Sequence, residues 1–215
     1  ACLGCVKDNV CVINDALADL RQKFIDADAF VIGAPNYYTA VNANTASLLE
    51  RWFQFRHREG NLLWGKLAVA IGVGGGDGSP AADHIERFMG YNFIETIAKV
   101  SAQGAASCFS CGYGEKCAVG IPRMVFGDDV KITDDMIPDV RKQPDVIEQA
   151  QKAGKLLAER LKNHDRKAVT QKMQKLMMRR LPGFYFSMEN FEMNVRSILL
   201  GLVFSSAIFL HATNS

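Results

Sequence analysis

Histidine is scarce in this chain, with four in 215 residues. His57 and His84 have no ligand spacing, so a Cys2His2 finger is excluded. No Gly-Lys-Ser/Thr follows any glycine run, which excludes a P-loop. No RNP-like stretch is present, and the formal net charge is only +2. Nucleic acid is therefore not an expected partner. Charged residues are absent from Ser197 to the end, yet the apolar core of that stretch, Ile198 to Leu210, is thirteen residues. A bilayer span takes about 20. No leader-like segment opens the chain, and Ala1 stands one residue before a cysteine, as if the chain began in mid-domain. Hydrophobic residues make up 48% and charged residues 22%, so a full core can be buried.

The cysteines are few but patterned. All six fall in two combs of identical spacing, Cys-x-x-Cys-x5-Cys. One holds Cys2, Cys5 and Cys11, and the other Cys108, Cys111 and Cys117. Such grouping reads as soft metal ligation rather than a secreted disulfide frame. For the first comb the open readings are a 4Fe–4S cluster, zinc, and free or disulfide-bonded thiols. For the second they are a second cluster or zinc, a contribution to the first site, and a redox-active or unliganded thiol loop. Both metal readings lack a fourth ligand.

Periodicity places alternating elements between the combs. Residues 14–28 carry apolar side chains at helical spacing, with Asn14 or Asp15 as cap. AFVIGAP, 29–35, reads as a strand buried on both faces, followed by a loop, NYYTAVNA. Residues 44–57 read as a helix and 66–73 as a second buried strand. The run GGGDGSP then leads into a helix from about Ala81 to Met89. A third apolar stretch precedes the second comb, and 145–162 reads as a long amphipathic helix. This order predicts an α/β fold with a parallel sheet, whose ligands bind in loops at the carboxyl ends of strands. Two small-residue loops qualify, one after each strand. GVGGGD departs from the dinucleotide fingerprint at Asp77, and a sharp turn would explain the same glycines.

The order of these features resembles the flavodoxin-like FMN reductases, and within them the iron–sulfur flavoproteins. The residues that carry the likeness are CLGCVKDNVCVIND, then Pro35, Tyr37, Val41 to Ala43 and Glu50-Arg51, then Gly74 to Gly76. The likeness covers about residues 1–163. It implies a doubly wound flavodoxin-like sheet and an FMN- and iron–sulfur-dependent oxidoreductase. An NAD(P)H-dependent FMN or quinone reductase with structural zinc is the alternative, and a non-catalytic subunit of a membrane redox complex a third reading. Pro35, Asn36, Tyr37, Tyr38, Val41 and Asn42 would contact FMN, together with Gly74, Gly75 and Gly76. The tyrosines suit a ring wall. Backbone groups of the glycines and the amides of Asn42 and Asn44 suit the ring's polar edge. A 4Fe–4S cluster would sit on Cys2, Cys5 and Cys11, with a fourth cysteine just before Ala1. The family's first strand, first helix and second strand have no counterpart here, and neither has its phosphate loop. Redox partners would be ferredoxin or NAD(P)H.

Beyond residue 163 the composition changes. Residues 164–215 read as a basic, then apolar, extension. Arg166, Lys167, Lys172, Lys175, Arg179 and Arg180 accompany an apolar stripe that includes Val169 and Met173. The expectation is either membrane contact through 166–210, on the cytoplasmic face, or an arm that packs in a homo-oligomer. The protein is otherwise expected to be cytoplasmic.

Overall fold

The computed structural model describes residues 2–57 and 62–180. The elements, in chain order, are α1 (Ala16–Asp26), β1 (Ala29–Tyr37), β2 (Ala40–Val41), α2 (Ala43–Arg51), β3 (Leu67–Gly74), α3 (Ser79–Tyr91), β4 (Glu95–Gln103), α4 (Ile121–Phe126), α5 (Pro144–Lys162) and α6 (Arg166–Arg180). One sheet carries them in the order β2-β1-β3-β4. β1, β3 and β4 run parallel, and β2 folds back antiparallel on β1. This is an α/β sheet of the flavodoxin-like kind.

The chemistry of each strand sets its place. LAVAIGVG in β3 is apolar throughout, and it lies in the centre with six of its eight residues buried. On one face, Phe30 and Ala34 of β1 and Ala68 and Ala70 of β3 meet the helices α2 and α3. Trp52 is the hub of this layer, with ring centroids 4.9 Å from Phe30 and 5.3 Å from Phe24. Aromatic pairs of this kind contribute about 0.5–1.5 kcal/mol beyond their burial. On the other face, Val69 and Val100 pack against Ala153 of α5.

That second layer stops at β3. Val31 of β1 is 61% exposed, so β1 is not buried on both faces as its apolar run predicts. An apolar run shows that a strand can be covered twice. It does not show that α5 reaches that far, and α5 packs on β4 and β3 instead. The remaining boundaries follow the periodicity closely. The predicted helix over 44–57 ends at Arg51 and tightens into a single 3-10 turn, Trp52–Phe55.

The start of the C-terminal extension is tied to the body. Arg166 donates from Nε to the Trp64 carbonyl at 3.1 Å and from its terminal nitrogen to the Leu62 carbonyl at 2.5 Å. Thr170 Oγ1 donates to the same Trp64 carbonyl. Arg166 therefore holds a loop, and is not a cation facing a membrane. No helix among the described residues is long and apolar enough to cross a membrane. The apolar stretch 198–210, with its anchor or arm reading, lies outside the described residues.

Candidate functional site

The carboxyl edge of the sheet is built from three segments. The first is the β1–β2 hairpin. Tyr37 pairs with Ala40, leaving Tyr38 and Thr39 as a two-residue turn with φ of 50° and 63°. Two consecutive left-handed residues are what a type I′ hairpin demands, and Asn-Gly normally supplies them. Here the pair is Tyr-Thr, held against its own preference. Strain of this sort costs about 1–3 kcal/mol per residue and clusters at functional sites. Its effect is to lift Tyr38 almost wholly into solvent, at 99% exposure, with Tyr37 half exposed beside it.

The second segment is the turn after β3. A Cβ on Gly72 would lie 1.8 Å from the Gly78 carbonyl oxygen, and one on Gly74 would lie 2.0 Å from that of Asp77. These glycines let the chain double back on itself. A Cβ on Gly75 would lie 3.1 Å from that of Ala106, while one on Gly76 would meet nothing within 4 Å. The turn explanation thus holds for Gly74, and Gly76 alone of the run faces open space. Asp77 closes the turn by accepting from Ser79 N at 2.8 Å and from the Ser79 and Ser101 hydroxyls. These bonds, the Ser79 hydroxyl first, hold its carboxyl below the usual range.

The third segment follows β4, where Gly104 N donates to the Gly74 carbonyl at 2.8 Å. Gln103 and Gln143 exchange side-chain and main-chain bonds, and Gln103 Nε2 reaches the Gly75 carbonyl. Sequence periodicity did not single out these glutamines, because nothing marks a polar pair 40 residues apart.

Asn36 joins the first two segments by donating from Nδ2 to the Asp77 carbonyl at 2.8 Å. Its Oδ1 is buried without a hydrogen-bond partner. Pro35, Asn36, Tyr37, Tyr38 and Gly74–Gly76 are therefore gathered at one edge. Val41 and Asn42 are turned to other tasks. The Val41 side chain is in the core, and its N–H donates to His84 Nδ1 at 3.4 Å. Burial keeps the His84 pKa low, helped by Arg87. Asn42 caps α2, its Oδ1 accepting from the Thr45 N–H and hydroxyl.

The first comb wraps against α2. Cys2, Cys5 and Cys11 line one cavity of about 780 Å3, shared with Asp15, Asn44 and Arg51. Asn44 thus faces the cysteines rather than the sheet edge. Arg51 pairs with Asp15, the N-cap of α1, at 2.7 Å. Its pKa is raised by that bond first and also by the Cys11 sulfur beside it. Gln54 fixes Cys11 by accepting its N–H at 3.2 Å. Burial raises the Cys5 thiol pKa. The spacing thus converges on one cavity. Among the described residues, however, no group of three or more His, Cys, Asp or Glu is disposed to hold a metal ion.

The second comb folds as a separate knuckle after β4. Cys111 Sγ lies 3.6 Å from the Cys108 carbonyl oxygen and accepts the Tyr113 N–H at 3.4 Å. All six cysteines are unpaired thiols.

Residues 2–105 match the family model described as NADPH-dependent FMN reductase. The match takes in the first comb, the hairpin and the glycine turn, and it ends before Cys108. A protein named iron–sulfur flavoprotein, from Archaeoglobus fulgidus, is 30% identical over 79 residues. That alignment covers 37% of this chain and 35% of the relative, so the likeness spans about a third of the relative's length. Residues 2–105, which hold the hairpin and the glycine turn at the carboxyl edge of the sheet, are thus similar to the NADPH-dependent FMN reductases.

Proposed function

We propose that the protein is a flavin-dependent oxidoreductase that holds FMN at the carboxyl edge of the sheet and takes electrons from a reduced nicotinamide. The observation that carries this is the meeting of Tyr37 and Tyr38 with the Gly74–Asp77 turn, joined through Asn36. When bound, FMN supplies the redox chemistry, and the protein supplies orientation and electrostatics. Tyr38 offers an exposed aromatic face for a ring, and the strained turn keeps it there. The open space at Gly76 lets a ligand approach the backbone, and the buried Asn36 Oδ1 leaves one acceptor unused. These groups fit the wall and polar edge of a flavin ring. Titrating the protein into FMN and following flavin fluorescence tests the site. Saturable quenching with NADPH oxidation supports the reading, and no binding overturns it. Reduced ferredoxin in place of NADPH tests the other electron source.

A second reading adds a 4Fe–4S cluster on Cys2, Cys5 and Cys11. Their convergence on one cavity favours it, and the relative's name, iron–sulfur flavoprotein, is in keeping with it. Such a cluster takes four thiolates, and three are present. The three are not disposed to hold metal as they stand, so no electron step is assigned to a cluster. Iron and zinc analysis of anaerobically purified protein separates the cluster from structural zinc and from free thiols.

A further inference from the structure

The second comb lies outside the family match and outside the sheet-edge site, and its geometry points to a chemistry of its own. Residues 106–111 form one tight turn. The Ser107 carbonyl accepts the N–H groups of both Ser110 and Cys111, and the Ala106 carbonyl accepts that of Phe109. Such i, i+3 closures hold Cα atoms within about 7 Å at 106–109 and 107–110, and the Ser107–Cys111 bond continues the same coil, which sets Cys108 and Cys111 at a separation of about 7 Å. That is about the upper limit for a disulfide. Cys111 Sγ already folds back to within 3.6 Å of the Cys108 carbonyl oxygen.

The loop beyond is locked over this turn. Gly112 has φ of 80°, with open space where a side chain would stand. A Cβ on Gly114 would lie 2.1 Å from the Cys108 carbonyl oxygen, so only glycine lets the chain pass there. Glu115 anchors the far side by accepting the Ile132 N–H at 2.8 Å. The two sulfurs differ in access. Cys111 is exposed and Cys108 half-buried. The Tyr113 N–H is donated to Cys111 Sγ at 3.4 Å and fixes the place of the more accessible sulfur. Among the described residues no third group joins them to make a metal site.

We propose that Cys108 and Cys111 form a two-electron dithiol/disulfide couple whose substrate is a low-molecular-weight disulfide. The Cys111 thiolate attacks one sulfur of the substrate disulfide, whose S–S bond breaks. A mixed disulfide forms, and the first thiol leaves with a proton. Cys108 loses its proton and attacks the Cys111 sulfur, closing the Cys108–Cys111 bond and releasing the second thiol. Two protein thiols are oxidised, and one external disulfide is reduced to two thiols. The couple does not rest on the FMN reading. It is nevertheless tied to that edge, because Ala106, two residues before Cys108, packs against Gly75.

Glutathione redox buffers test this anaerobically on the whole protein, by acid quench, alkylation, trypsin digestion and mass spectrometry. Cys108 and Cys111 share one tryptic peptide, residues 100–116, while Cys117 begins the next. The expected result is a single two-electron transition. Through it, peptide 100–116 goes from doubly alkylated to unalkylated and lighter by two hydrogen atoms. Cys108→Ser should accumulate a glutathione adduct on Cys111, and Cys111→Ser should lose that adduct. Full alkylation at every buffer ratio overturns the proposal. So does a crosslink from this peptide to Cys117, or stoichiometric zinc that Cys108→Ser releases. FMN binding measured on the same samples reports the flavin reading separately.

Discussion

The ammonium of Lys66 lies 2.7 Å from the Ile25 carbonyl oxygen and also donates to that of Ala27. It thereby caps the carboxyl end of α1 from inside the protein. The side chain is fully buried, and its nitrogen stands 5.6 Å from the Phe30 ring centre. Burial, with the Arg166 cation behind it, lowers its pKa to about 8.

That shift has a sign that can be measured. A lysine whose folded pKa is depressed sheds its proton in the native state while the unfolded chain keeps its own. Between pH about 8 and the ordinary 10.5, stability contributed by this group therefore rises with pH. Below pH about 8 both states are protonated and the contribution is flat. Urea unfolding of the protein and of Lys66→Met across pH 7 to 10.5 should show the difference between them moving in favour of wild type as pH rises. A difference that stays level across the window would show that Lys66 is not depressed.

Gly65, the residue before Lys66, has φ of 74° and little room for a side chain. A Cβ there would stand 3.0 Å from Thr170 Oγ1 and 3.3 Å from the Arg166 carbonyl oxygen. Gly65→Ala should cost about 1–2 kcal/mol in backbone strain alone. It should also loosen α6, because the contacts it crowds are those that dock that helix. Faster trypsin cleavage after Arg166 or Lys167, together with a lower urea midpoint, is the expected pair of readouts. Arg166→Ala, which leaves only the Lys167 site, should show faster cleavage after Lys167 without the backbone strain.

Much of this architecture was legible in the sequence, and the parts that were not share a cause. Asp15 was readable as a cap because it precedes a helical apolar pattern, and β3 because its run is unbroken. Local signals carried both. The exposure of Val31 depends on how far a helix over a hundred residues away extends, and no window of sequence holds that. Lys66 opens a strand run and Arg166 a basic run, and no local signal shows that both turn inward to backbone carbonyls that only the fold supplies. At the candidate site, the small-residue loops read from the sequence do lie together at the carboxyl edge of the sheet. They did not show that Asn42 is spent on a helix cap, or that Asn44 faces the cysteines. The hairpin was missed because Tyr-Thr carries no turn signal.

The glycine turn separates a structural demand from a ligand's. Gly72→Ala would bring a methyl group onto the Gly78 carbonyl, backbone against backbone with nothing flexible to yield. Overpacking of this severity should reach about 3 kcal/mol or more. Gly76→Ala meets nothing within 4 Å, and its stability should match wild type. If FMN approaches the backbone there, Gly76→Ala should nonetheless weaken FMN binding, as read by flavin fluorescence. Equal FMN affinity in Gly76→Ala and wild type would remove that residue from the site.

The Tyr38-Thr39 turn sets stability against function most directly. Both residues adopt left-handed backbone that Asn and Gly adopt far more readily. Replacing the pair by Asn-Gly leaves the Tyr37–Ala40 register intact, since a type I′ turn fits both. The double variant should be more stable by about 1 kcal/mol or more, because it removes strain at two positions. It also removes the exposed ring of Tyr38, so FMN affinity should fall. Tyr38→Phe keeps the ring and should retain that affinity. The combination of higher unfolding midpoint, weaker FMN binding and rescue by Tyr38→Phe would mean that the strain is held for the sake of the ring. A stabilised Asn-Gly variant that binds FMN as well as wild type would mean that the ring is not part of the flavin site.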